Sequence, residues 1–142
     1  MRRALQAAFV CLVLVSPVVG GVEHDRDISR LYVEAAYDAF EGGRHERAQR
    51  LADVALEFAP ASSDALYVSA LLAAESRERV RNAIALAGRA IERASWQAFG
   101  DAHARVLRAR LLNRVGAHDD AVVVLERTAI EATTPDRVRS GY

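Results

Sequence analysis

Residues 42–60, "GGRHERAQRLADVALEFAP", open on a glycine pair, carry alanines at helical spacing and close on a proline. Ala48, Ala52, Ala55 and Ala59 follow one another by four, three and four positions, which predicts a single stripe along an α-helix. Leu51, Val54 and Phe58 form a second stripe beside it, and Gln49, Arg50, Asp53 and Glu57 occupy the remaining arc. An ordinary surface helix has one apolar stripe. Two stripes require neighbours on two sides, one close enough to demand Ala and one distant enough to accept Leu and Phe. Gly42 and Gly43 supply a tight turn before the helix. Pro60 ends it, because the residue before a proline is pushed out of the right-handed helical region.

A helix flanked on both sides implies further units. Sliding the chain along itself lays Ala83, Ala87, Ala90 and Ala94 over the first stripe, with Leu86 over Leu51. A second slide brings Ala121, Leu125, Thr128 and Ala132 to the same places, with Val124 over Leu51. Each of these helices has a partner before it. "DISRLYVEAAYDAFE" puts Tyr32, Ala35, Ala36 and Ala39 on one face, with Asp27 as the expected N-cap. "SSDALYVSALLAAES" offers Ser62 or Ser63 as cap and repeats the pattern with Leu66, Ala70 and Ala73. "GDAHARVLRARLLNRV" follows Gly100 and stops at Gly116. The chain states a helix–turn–helix unit three times, at about 28–61, 62–96 and 100–133. Thr134 and Pro135 then predict a short capping helix over 134–142, with Val138 and Tyr142 on one face.

This pattern resembles the tetratricopeptide repeat family. Tyr32 stands at that family's opening aromatic position, Ala35-Ala36 where Leu-Gly is usual, Gly43 at the turn, Ala48 and Ala55 at the two alanines and Pro60 at the close. The second unit keeps Leu66, Ala70, Ala83 and Ala90 but has Ser95 in place of the proline. The third keeps Ala109, Gly116 and Ala121 and has Thr128 for the second alanine. Both spacings exceed the family period of about 34 residues, and the surplus falls in "SRERV" and "RASWQAFGD". Arg105 and Arg108 occupy places where the third unit should be apolar. The resemblance implies an all-α fold, a right-handed α-solenoid of about three repeats spanning 22–142. An unrelated Ala-rich helical bundle is the competing reading.

The first residues, "MRRALQAAFVCLVLVSPVVGG", have a basic start, an apolar core and small residues at the end. That is the layout of a secretory signal peptide over 1–21, with cleavage after Gly20 or Gly21. An uncleaved anchor is the rival, but Ser16, Pro17 and the glycine pair end the run near the shortest spanning length. No stable membrane span is expected after cleavage, and the product is expected in the periplasm or outside the cell. Arg2-Arg3 fits a twin-arginine signal poorly, and Cys11, the single cysteine, lies inside the apolar core. The remaining chain therefore has no disulfide or thiol chemistry.

Composition excludes several function classes. At 51% hydrophobic and 27% charged the chain is an ordinary globular mix. Every one of its basic residues is Arg, an expected result of GC-rich coding. Formal charge is zero, and no basic patch supports phosphate-driven binding, so no nucleic-acid partner is expected. His24, His45, His103 and His118 stand at no metal-ligand spacing. No phosphate loop, Schiff-base lysine or Gly-x-Ser-x-Gly elbow is present. Asp119-Asp120 is a helix start, favoured there by the macrodipole. Neither an enzyme nor a metal or other cofactor is expected.

A repeat solenoid offers instead a concave groove lined by the first helix of each unit. The resemblance implies partner contacts at Arg30, Val33, Tyr37 and Phe40, then Asp64, Tyr67, Leu71 and Glu75, then His103, Val106, Arg110 and Asn113. Aromatic surface and Arg suit a protein or peptide, with the guanidinium able to hold a carboxylate in a fork. The family's Lys and Asn carboxylate-clamp pattern is not recognisable. Trp96 and Phe99 are expected to cover a helix end, with partner contact as the alternative. The function expected is a non-catalytic interaction module or scaffold of the bacterial envelope. A self-associating structural subunit is the alternative, and a small-ligand carrier or envelope hydrolase a weaker one.

Overall fold

The structure is a computed structural model that describes residues 18–133. These residues form an all-α fold: α1 Val18–Glu41, α2 His45–Phe58, α3 Ser63–Ala74, α4 Val80–Arg93, α5 Asp101–Arg114 and α6 His118–Thr133. A 3-10 turn, Arg77–Arg79, precedes α4. Successive helices pair as three hairpins, α1 with α2, α3 with α4 and α5 with α6. Both helices of the first hairpin touch α3, and both helices of the second touch α5. The expected leader up to residue 17 and the expected capping helix over 134–142 lie outside the described residues. No described helix is long and apolar enough to cross a membrane.

Small side chains set the spacing within the first two hairpins. Ala36 and Ala39 of α1 and Ala48, Ala52 and Ala55 of α2 are sealed in one core cluster. In α4, Ala83, Ala87 and Ala90 are buried in the same way. The stripe is shorter than its four alanines suggest: Ala59 is half-buried and Ala94 exposed, since both are helix caps. Leu51 and Val54 are half-buried, and Phe58 stacks on Tyr32 with ring centroids 5.9 Å apart.

The turns follow from glycine. Gly43 and Gly116 take φ of +72° and +83°, a region open to glycine without a Cβ clash. In the first hairpin the Arg44 N–H donates to the Ala39 carbonyl at 2.8 Å and that of Gly43 to Phe40 at 2.9 Å. Ala117 and Gly116 repeat both bonds to Leu112 and Asn113, at 2.9 and 3.1 Å. This doubly bonded left-handed cap closes α1 and α5 alike. The second hairpin turns differently, and the surplus "SRERV" is taken up by the 3-10 turn. Ala94 ends α4 at φ 49°, a left-handed conformation that is strained for a residue with a Cβ.

Two expectations are corrected. Asp27 does not cap a helix: α1 begins at Val18 and runs through it. The added turns have a partner, because Arg26 donates to Ser95 Oγ at 3.2 Å. The places where the third unit should be apolar are likewise held by half-buried arginines, Arg105 and Arg108. Ala104, Ala109 and Leu111 point inward, while Arg105 is held by Asp101 one turn back.

Substituting Leu for Ala55 forces a larger side chain into a site with 0% exposure. Overpacking of this kind costs about 1–3 kcal/mol, whereas Arg50→Leu on the exposed arc should stay within about 0.5 kcal/mol of wild type. Denaturant midpoints measure both, and equal midpoints would contradict the packing described.

Candidate functional site

Among the first helices of the hairpins, α1 touches α3 and α3 touches α5. A cleft of about 360 Å³ opens between α3 and α5, lined by Tyr67, Leu71, His103, Val106 and Arg110. All five are residues singled out from the sequence. Ala102 and Leu107 complete the wall. Leu71 is half-buried and Val106 is 36% exposed, so apolar surface faces solvent at the cleft. Arg110 is exposed beside it, with no ion-pair partner among the described residues.

Aromatic rings carry this surface across to the first hairpin. Phe99 sits between Tyr37 and Tyr67, with ring centroids at 4.9 and 5.1 Å. Tyr67 also meets Trp96 at 6.5 Å and His103 at 6.3 Å. Phe40 lies 6.4 Å from Tyr37 and 5.6 Å from His45. Such offset and edge contacts add to burial and hold rings in defined orientations. Phe99 therefore joins the rings of α1 and α3. Its role was hidden because the 94–100 connection has no helical period to show which way a ring points.

Several expected contact residues serve other ends. Val33 is 0% exposed and belongs to the core; the hairpin partner covers it. Asp64 is 1% exposed and faces the connection before α5. Its two carboxylate oxygens accept the N–H groups of Gln97 at 2.7 Å and Phe99 at 2.8 Å. Asp64 thus positions Phe99 and offers nothing to a partner. Arg30 pairs with Glu34 at 3.2 Å, and Asn113 Oδ1 bonds to the His118 ring. Glu75 is exposed at the end of α3, outside the cleft.

Burial raises the Tyr67 phenol above the ordinary tyrosine value. Tyr37 and Glu41 push in the same direction, and the nearby Arg110 charge opposes them. Tyr37 is raised as well, by desolvation first and then by its hydrogen bond to Glu41 and that carboxylate's charge. The aromatic surface therefore has an acid beside Tyr37 and a guanidinium beside Tyr67. Glu41 escaped the sequence reading because only the fold brings it to this surface.

No family model, curated protein or solved structure matches the chain.

Asp64→Ala should remove two bonds to a charged acceptor and leave two N–H groups without it. At about 1.5–3 kcal/mol for each such bond, the loss should be at least about 3 kcal/mol by denaturant unfolding. Asp64→Asn, with one acceptor oxygen left, should fall between. The Tyr67 phenol supplies a pH test. Its folded-state value is raised, so its contribution to stability is complete below the unfolded value of about 10 and is lost as pH climbs through the folded value. In a phenolate absorbance titration the transition missing from Tyr67→Phe should lie above pH 10. A missing transition at or below pH 10 would contradict the buried phenol.

Proposed function

We propose that the chain is a non-catalytic interaction module, a short right-handed α-solenoid of the tetratricopeptide type that holds a protein or peptide partner in the groove of α1, α3 and α5. The observation that carries this reading is the cleft at Tyr67, Leu71, His103, Val106 and Arg110. It sets the exposed Val106 and the half-buried Leu71 beside a guanidinium with no ion-pair partner among the described residues. A partner would place an apolar side chain against Leu71 and Val106 and a carboxylate on Arg110. The repeated glycine caps of α1 and α5 support the solenoid reading, since equivalent hairpins are closed by equivalent bonds. The basic, apolar and small-residue layout of 1–21 supports export to the envelope.

Self-association is a second reading, favoured by the outer face of α6. Val122 and Leu125 are both about half exposed there. Retention of envelope proteins on immobilised protein tests the first reading. Val106→Asp and Arg110→Glu should lose partners that wild type and the distant Arg50→Glu retain. Identical retention by all four would sink the groove, and sedimentation that shifts with concentration in wild type but not in Leu125→Asp would favour self-association.

A further inference from the structure

Behind the groove, on the side of the second helices, α4, α5 and α6 enclose a cleft of about 430 Å³. That volume falls in the range of small-molecule sites. Arg108 crosses it from α5 at the one buried glycine of α4. A Cβ on Gly88 would lie 3.4 Å from the Arg108 Cζ and 3.5 Å from Nε. The guanidinium therefore rests directly on the α4 backbone. A Cβ there would be in ordinary van der Waals contact with the cation.

Arg108 forms no ion pair among the described residues. Its Nε is shielded from solvent and has no hydrogen-bond partner, which in a folded protein calls for an explanation. Arg127 lines the same cleft from α6 and, like Arg108, forms no ion pair among the described residues. Arg105 is also in the lining, but Asp101 engages it. Two guanidiniums on different helices thus converge on one space. Ile91, Leu112 and Val124 supply its apolar lining.

Two acids restrict what can bind. Glu92 and Asp120 lie in the same lining and would repel a multiply charged anion more than a singly charged one. We infer that this cleft is a binding site for a small organic monocarboxylate with an apolar body. Its carboxylate is gripped by Arg108 and Arg127, and its hydrocarbon part lies against Ile91, Leu112 and Val124. A carboxylate accepts paired N–H bonds from a guanidinium in one plane, and the site satisfies the Arg108 fork without an internal acid. It is separate from the groove, so it stands or fails independently of the peptide-binding reading.

The test is a ligand-observed NMR titration of the full chain with isovalerate, its neutral isostere isovaleramide and inorganic phosphate. Isovalerate should bind saturably and raise the melting temperature, and the other two should do neither. Arg127→Gln, at an exposed position, should fold normally and bind isovalerate about tenfold or more weakly. Arg108→Lys should weaken it similarly by keeping the charge but losing the fork, while Arg50→Gln should bind as wild type does. Equal binding of the amide, stronger binding of phosphate, no response to isovalerate, or unchanged affinity in both arginine variants would each overturn the assignment.

Discussion

The N-terminus of α3 is the constraint on which the arrangement of the hairpins depends. Within three consecutive residues, Ser62 caps the helix by accepting the Ala65 N–H at 3.2 Å, and Ser63 and Asp64 hold the connection that leads to the third hairpin. Ser63 Oγ donates to the Ala90 carbonyl at 2.7 Å and accepts the Ser95 N–H at 2.9 Å. Asp64 takes Gln97 and Phe99. A buried carboxylate is costly unless its lone pairs are filled, so Asp64 fixes the connection's path as firmly as the connection satisfies Asp64. Phe99 is thereby delivered between Tyr37 and Tyr67, and the rings of α1 and α3 are joined because a polar cluster behind them is complete.

The same polar device occurs in the first hairpin. Ser29 Oγ donates to the Ala55 carbonyl at 2.8 Å, as Ser63 does to Ala90. Each serine sits in the first helix of its hairpin, and each acceptor is an alanine of the stripe in the second helix. Only small side chains let a hydroxyl reach a carbonyl across a helix pair, so the alanine stripe and the serine bond are one feature. The third hairpin departs from this design. Its stripe continues with Leu125 and Thr128, and Thr128 turns its hydroxyl to its own helix, at Val124.

The helices and their pairing were legible in the sequence because each rests on local periodicity. Alanine at a four-three spacing specifies a close neighbour, and the glycine turns and the Ser62 cap have local geometry of their own. Tyr67, Leu71, His103, Val106 and Arg110 were named from the family resemblance, and the fold brings them to one cleft. Val33 and Asp64, expected from the resemblance to meet a partner, are buried instead, because a family position does not say what covers it. An aspartate in the first turn of a helix looks solvated until a distant connection folds back over it. The extension of α1 past Asp27 was hidden likewise, since its support comes from Ser95, far along the chain.

Among the described residues, burial is graded from the first hairpins to the third. The stripe position taken by Ala52 in α2 and Ala87 in α4 is fully sealed, while its counterpart in α6, Leu125, is 45% exposed. A larger side chain with less cover means that the third hairpin contributes the least packing. Local opening is drawn from such regions, where few apolar contacts oppose it. The rear cleft lies across this joint, with Arg108 from α5 seated on Gly88 of α4 and Arg127 reaching in from α6. A ligand bound only by the closed arrangement stabilises it by mass action. Occupancy of the rear cleft would therefore tighten α5 against α4, and α5 is also the helix that presents His103, Val106 and Arg110 to the groove.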